Sequence, residues 1–483
     1  MQDVKGAKIN FDNGARKRPV YLIFLLSLLM LGTSCMTYQR VNREVQMKLM
    51  QQRFKEADAL IASSKRMKTN RNKLLYLLNR GYFNMMLGKH EESTRFFIQA
   101  DQIMKEERKN YLNDALAMFV NPSVRTYHAE NFEEVMLHYF QMINFLSLGK
   151  RESALVEVRR MNMVLNEMND NSGRVNKYAD DAFGHLMMGL VYESASDFNN
   201  AFIAYRNAYN TYEETYKDLF GIEAPLQLKK DLIRMAQFSG FRNEVEYYEN
   251  MFNLKFEEQA SNREVVLLWN NGLSPIKDQW SVDFTIVQTA PGTVVFLNNQ
   301  FGFSFPFPVG HLSEKARQDL LSLQIIRIAF PRYLSRPPVF DRTKVEVNGQ
   351  VIRPERAQNL QSIAHRSLQD RFAREMGNAL LRFALKKSAE VALRRENREA
   401  GMILGLANVF TEQADTRNWQ TLPAQIHYAR IPLNEGQNEL RISMKDAHGV
   451  IGKTETILVD ARRGMQFRQI FTHQSFAPMV MMW

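Results

Sequence analysis

Two hydrophobic periods divide this chain. From about residue 43 to 255, apolar residues recur at helical spacing with few prolines, so this half reads as helix after helix. From about residue 263 the period shortens to that of strands. Val265-Val266-Leu267-Leu268-Trp269 is a short apolar run closed by Asn270-Asn271-Gly272. Val282, Phe284 and Ile286 alternate, and Thr293 to Leu297 and Leu323 to Phe330 read as further strands. Asn348-Gly349, between Val345-Glu346-Val347 and Gln350-Val351-Ile352, predicts a hairpin. Ile426/Tyr428, Leu440/Ile442/Met444 and Thr454 to Val459 complete a set expected to form an antiparallel sheet or sandwich. A helical period returns in an insertion at about 354–413, where Leu360, Ile363, Ala364, Leu368, Phe372, Met376, Leu380 and Phe383 form one stripe.

The helical half repeats itself. Gly189, Tyr192, Phe198, Ala201, Tyr205 and Ala208 stand at the offsets of the tetratricopeptide pattern. Small residues mark where two antiparallel helices touch, and large ones fill the layer beside them. A second copy is Gly81, Gly88, Ser93, Phe97 and Ala100, with His90 at an aromatic place. A third is Phe145, Gly149, Ala154 and Val158, with Met142 where glycine is usual. Weaker copies lie near Ala57 and Ile61 and around Ala236, Gly240 and Phe252. Copies start 61 and then 47 residues apart (81, 142, 189), against about 34 for the usual repeat. The expectation is an irregular α-solenoid with extra helices or loops.

First helices of such pairs line a concave groove. The register places Leu75, Leu78, Tyr82 and Met85 there, then Met136, Tyr139, Ile143 and Leu146, then Phe183, Leu186, Leu190 and Glu193. All but Glu193 are apolar or aromatic, and a patch of that size is not left to water. Either the chain fills its own groove or a partner does, with Leu78, Tyr82, Tyr139, Ile143, Phe183 and Leu186 as candidate binding residues. The stripe from Leu360 to Phe383 is the expected filler. That insertion carries a net charge of +4 between 354 and 400, which also suits a helix lying on an anionic membrane surface.

The N-terminus changes the compartment. Arg16, Lys17 and Arg18 precede the 12-residue apolar run Val20 to Leu31, then Gly32-Thr33-Ser34-Cys35. Basic head, short apolar core and small residues describe a signal peptide, 1–34. The run is too short to span a bilayer comfortably as a helix. Cys35, the only cysteine in 483 residues, stands where a bacterial lipobox places its acylated cysteine, although Leu31 is one position further upstream than usual. The expected mature chain holds a helical repeat domain, 35–258, and a β-rich domain, 259–483: an α+β protein, lipidated and membrane-attached, with no disulfide. Removing 1–34 lowers the net charge from +11 to +8. Those charges are dispersed, and an exported protein with dispersed charge argues against nucleic acid as a partner.

Motif chemistry is sparse. Nine histidines are scattered, and there is no HExxH, paired-cysteine site, Walker loop or GxSxG elbow. Asp180, Asp181 and His185 fall at helical spacing, where a capped solenoid helix accounts for them. His138-Tyr139 lies within a repeat helix. No catalytic residue, metal or cofactor is assigned. The densest segment is Ala414-Asp415-Thr416-Arg417-Asn418-Trp419-Gln420-Thr421-Leu422-Pro423. There Asp415 and Arg417 pair or cap a helix and Trp419 anchors the core, or Arg417 and Trp419 bind a ligand.

The Asp-Thr-Arg-x-Trp-x-Thr-Leu-Pro run resembles a segment of a poorly characterised family of tetratricopeptide-repeat lipoproteins of Gram-negative bacteria. Phe132-Glu133, His138-Tyr139 and Ala154-Leu155-Val156-Glu157-Val158-Arg159-Arg160 resemble the same family, as does the layout of most of the mature chain. The resemblance implies a non-catalytic envelope lipoprotein, a protein-binding scaffold in cell-wall or outer-membrane assembly, whose partner belongs to the cell-wall synthesis machinery. Met36 after Cys35, rather than an inner-membrane-retaining aspartate, implies the outer membrane, facing the periplasm. The alternative is a glycan-binding outer-membrane lipoprotein, which needs exposed aromatic platforms from Trp269, Trp280, Trp419 or Trp483.

Overall fold

Small residues decide where the helices meet. A Cβ on Gly189 would lie 2.3 Å from the Tyr205 ring, and one on Gly81 would lie 2.6 Å from Phe97. Only glycine permits these approaches. Ala201 and Ala208 are fully buried on the facing helix. In the computed structural model, which describes residues 38–113, 125–172, 178, 180–258, 262–310, 314–396 and 414–480, these contacts build a tetratricopeptide-like array of hairpins. Residues 38–50 are helical (α1), followed by α2 (Phe54–Ser63). The pairs are α3 (Lys73–Met86) with α4 (His90–Asn113), α5 (Asn131–Ser147) with α6 (Arg151–Ser172), and α7 (Ala182–Ser194) with α8 (Phe198–Thr211). After the short α9 (Lys217–Phe220), α10 (Leu226–Phe238) and α11 (Arg242–Phe252) close the array. Each turn between paired helices needs one residue in the left-handed region: Gly88, Gly149, Ser196 and Gly240, at φ from 62° to 75°. Part of the long repeat spacing lies in the second helices, 24 residues in α4 and 22 in α6 against 14 in α8.

The strand half holds β1 (Arg263–Asn271), β2 (Ile276–Ala290), β3 (Thr293–Asn298), β4 (Phe303–Pro308), α12 (Glu314–Ser322), β5 (Ile325–Leu334), β6 (Arg342–Val347), β7 (Gln350–Ile352), β8 (Glu355–Asn359), α13 (Leu360–Glu396), β9 (Gln425–Pro432), β10 (Gly436–Lys445), β11 (Ile451–Ala461) and β12 (Gly464–Thr472). They form three four-stranded sheets, β12-β1-β9-β8, β11-β10-β6-β7 and β4-β3-β2-β5. The hairpin at Asn348-Gly349 is present, with φ of 48° and 78°. The expectation of purely antiparallel sheet is corrected: β1 pairs with β12 in parallel over its whole length. The insertion also begins as a strand, β8, paired to β9. Its last part, 397–413, lies outside the described residues, as do the signal segment 1–34, Cys35 and Trp483.

The first sheet is the middle layer. Strand β1 is buried along almost its whole length, as an apolar run without alternation requires. Val266, Leu268, Ile426 and Tyr428 join the core of the helical array. Val265, Leu267, Trp269 and Ile431 face the second sheet, against Val345, Leu440, Ile442 and Met444. Helices, first sheet and second sheet therefore stack as three layers. The apolar stripe of α13 is shared between two cores. Leu360, Ile363, Ala364 and Leu368 enter the helical core, whereas Met376, Ala379, Leu380 and Ala384 pack on the third sheet with Phe284, Phe296 and Phe330.

Candidate functional site: the concave face and the junction cleft

The concave positions named from the sequence lie on α3, α5 and α7, and all but Leu146 and Glu193 are buried by the chain itself. Leu78, Tyr82, Tyr139, Phe183 and Leu186 have no exposed area, and Ile143 has almost none. The expected filler is corrected in part: the cover is the first sheet together with the segment at 414–424, and only the start of the α13 stripe, Leu360 to Leu368, joins that core. Trp419 fills the centre, its ring 6.3 Å from Tyr82, 6.1 Å from Phe97 and 5.9 Å from Phe140. Gln469 on β12 donates to the Tyr139 hydroxyl at 2.8 Å. Tyr139 and Phe183 meet edge to face at 5.0 Å. The six apolar candidates are thus core residues, with no face presented to a ligand.

Polar groups of the 414–424 segment are equally committed. The Arg417 guanidinium donates to Asp415 at 2.7 and 2.8 Å, to the Arg71 carbonyl at 2.8 Å and to the Arg125 carbonyl at 2.9 Å, and it lies over the Tyr127 ring. It ties the start of α3 to the approach to α5. The Trp419 main-chain N–H donates to Glu133 at 2.7 Å, and Thr421 donates to Asn79 at 2.8 Å. Glu133 also accepts from the Tyr127 hydroxyl at 2.5 Å and from the Glu130 main-chain N–H at 3.1 Å. Burial, then the neighbouring Glu130 carboxylate, pushes the Glu133 carboxyl up to about 7. Glu130 behaves oppositely. Burial would raise it, but Arg371 of α13 and Lys277 of β2, at 2.7 and 2.9 Å, hold it well below the usual carboxylate range. One carboxylate thus joins the start of α5 to β2 and α13. Asp181 accepts from the Gly184 N–H at 2.6 Å, capping α7, and receives Gln358 of β8 at 2.9 Å. His185 pairs with Asp180 at 2.9 Å.

The one acidic concave position, Glu193, marks a second charge cluster. Arg430 on β9 grips it with two donors at 2.7 and 2.9 Å, Arg234 on α10 adds a third at 2.6 Å, and the Tyr205 hydroxyl donates at 2.7 Å. Burial would raise this carboxyl, but the two guanidiniums more than offset it and hold it at about 2. Arg430 also meets Glu264 of β1 at 3.0 Å and Asp231 of α10 at 3.2 Å. Burial raises the Asp231 carboxyl, and Arg430 and Arg234 only partly offset it. Sequence reasoning did not single out Arg430, Arg234 or Asp231; an acidic residue in an apolar row was the one signal that a buried cation lay opposite.

Beside this cluster, at the junction of α10, β7 and β9, opens a cleft of about 430 Å³. Arg234, Arg430 and Glu264 form part of its wall, with Lys230, Lys255 and Phe256 among its other residues. The side chains of Lys230 and Lys255 are 44% and 78% exposed, open to a partner or a reagent. Trp269 and Trp419 are fully buried. Trp280 packs between Phe301 and Phe372, at 5.2 and 6.2 Å. Among the described residues, then, no tryptophan stands as an open aromatic platform.

No protein-family model matches the chain, and no curated protein does. Among solved structures it is similar to MamA, at 16% identity over 42% of this chain and 89% of that one, with a TM-score of 0.27. It is also similar to a putative kinesin light chain of Podosopora anserina with nearly identical TPR-like repeats, at 13% identity over 47% and 92%, with a TM-score of 0.29. BtubC (BKLC) from P. vanneervenii matches at 11% identity over 52% and 97%, with a TM-score of 0.33. Likeness at this level carries no argument; the repeat assignment rests on the helix pairs and their glycine contacts.

Proposed function

We propose that this chain is a non-catalytic, lipid-anchored scaffold of the bacterial cell envelope, held on the outer membrane through Cys35 and facing the periplasm, where it binds an envelope protein of the cell-wall machinery. The observation that carries the scaffold reading is the covered concave face. A helical array whose inner surface is committed to its own β layer is a rigid display platform, and its partner must use outer surfaces. The buried acid–base groups support a non-catalytic role, because carboxylates and guanidiniums neutralise one another instead of facing a reacting atom. The junction cleft is the place for a partner's polypeptide, since it combines both charge signs, amide side chains and one phenylalanine. The anchor and compartment rest on the leader and on Cys35.

Two experiments test this reading. Cys35→Ala should abolish acyl labelling, with palmitate as the probe, and release the protein from the membrane fraction. Unchanged labelling and fractionation refute the anchor. Amine crosslinking in cells with mass-spectrometric mapping should place the partner on Lys230 and Lys255. Partner crosslinks confined to the β11 side of the molecule refute the cleft as the docking place.

A further inference from the structure

One cluster plays no part in the contacts between the layers. Asp101 on α4 and Glu134 and His138 on α5 each bring one donor atom within 4.8 Å of the other two. All three residues are buried, at 5%, 6% and 0% exposure. Glu134 and His138 are four residues apart, so one helix face presents both. Each of the three also carries one buried atom with no hydrogen-bond partner among the described residues: Asp101 Oδ1, Glu134 Oε1 and His138 Nε2. Their remaining polar atoms are firmly held. Asp101 Oδ2 accepts from Lys105 at 2.8 Å, and Glu134 Oε2 accepts from Arg108. His138 Nδ1 meets Glu157 Oε2 of α6 at 2.9 Å.

The histidine fixes the chemistry. A carboxylate only accepts, so His138 Nδ1 carries the proton and donates to Glu157. With the proton on Nδ1, Nε2 is the atom left to ligate, and it sits in a place closed to water. A buried acceptor with nothing to accept is costly, and one cation shared by the three residues would satisfy them together. A carboxylate on the far nitrogen of a ligating histidine is the usual outer partner at metal sites, because it sets the tautomer and ring orientation. We propose that Asp101, Glu134 and His138 bind one divalent first-row transition metal, of the Zn²⁺ class, with Glu157 as the positioning residue for His138. One imidazole and two carboxylates suit Zn²⁺ better than a thiolate-seeking ion or the all-oxygen set of Ca²⁺. Three protein ligands leave a fourth position. Gln141, one turn beyond His138 on α5, is fully buried with both amide atoms unpartnered among the described residues, and its spacing puts it on the same helix face. The site joins three consecutive helices across the joint between two repeats. Its burial makes the metal structural, a clamp on the array.

The test uses the full chain purified in detergent, with any affinity tag removed, stripped with EDTA and then titrated with Zn²⁺. One Zn²⁺ per chain by elemental analysis, with a melting temperature that rises as Zn²⁺ is added, supports the site. Asp101→Asn, which preserves shape, should weaken Zn²⁺ binding at least tenfold, and His138→Gln should abolish it. Glu157→Gln should keep the stoichiometry while losing about 10–100-fold in affinity. Co²⁺ in place of Zn²⁺ should give a visible absorption band that Asp101→Asn alters. A folded wild-type chain that takes up no Zn²⁺ overturns the proposal. So does Zn²⁺ binding that is equally tight in Asp101→Asn.

Discussion

Replacing Trp419 with alanine removes the side chain at the centre of the covered concave face. The indole lies against Tyr82 of α3, Phe97 of α4 and Phe140 of α5 and has no exposed area. A buried tryptophan removes about 150–250 Å² from water. At about 25 cal/mol per Å² that is roughly 4–6 kcal/mol as an upper bound. Partial collapse of the surrounding rings brings the expected cost to about 3–5 kcal/mol. The main-chain hydrogen bond to Glu133 survives the substitution, so the loss is one of packing. For a chain of this size the melting temperature should fall on the order of 1 °C per kcal/mol. Hydrogen exchange is the sharper assay. Amides of α3 and α5 should exchange roughly 100–4,000-fold faster, because their inner faces lose a common neighbour. Two companions separate causes. Trp419→Phe keeps a ring and deletes an indole N–H that has no hydrogen-bond partner among the described residues, so it should cost under about 2 kcal/mol. Phe372→Ala, which removes a ring packed on Trp280, Phe303 and Phe330, should loosen α13 and the third sheet and leave α3 and α5 protected. If Trp419→Ala raises exchange only near residues 414–424, the segment is not what holds the concave face, and the reasoning fails.

Three further outcomes follow from the same geometry. Ala201→Arg places an unpaired charge between α7 and α8, where Ala201 has no exposed area, and should cost about 3–5 kcal/mol in denaturant unfolding; a wild-type midpoint would show that the pair does not close there. Ser196→Gly relieves the turn between α7 and α8, where a non-glycine holds positive φ, 62°, and should raise stability by about 0.5–1 kcal/mol, measured as a shifted midpoint at constant slope. Burial holds His427 and His473 down to about 3, so both are neutral in the fold. The unfolded chain takes up protons from about pH 6.5 downward, so the stability these two contribute is complete above that pH and is lost as the pH falls toward 3. Each accounts for up to about 1.4 kcal/mol per pH unit in that window. His473→Gln should flatten the stability profile between pH 6 and 4, and an unchanged slope would show that His473 is not neutral in the fold.

Local periodicity alone determined the helix pairs, the hairpin at Asn348-Gly349 and most of the strands. Contact between two helices joined by a tight turn depends on residues close in sequence, such as Gly189 and Tyr205, 16 apart, so the spacing records it. The row of apolar concave positions was equally legible, because an exposed face of that size has to be covered. What covers it was a tertiary decision. The stripe of α13 and the strand β1 are both apolar enough to do so, and sequence has no measure of how much of each arrives. Strand β12, parallel to β1 from nearly two hundred residues away, illustrates the same limit, since ladder partners are chosen by sheet order and not by local pattern. Charges were the least legible. Arg430 looks like any solvated arginine until β9 lies against Glu193, 237 residues away in the chain. Likewise Glu134 and His138 share a helix face, but only the packing of α4 and α6 supplies Asp101 and Glu157 and turns an ordinary pair into a candidate metal centre.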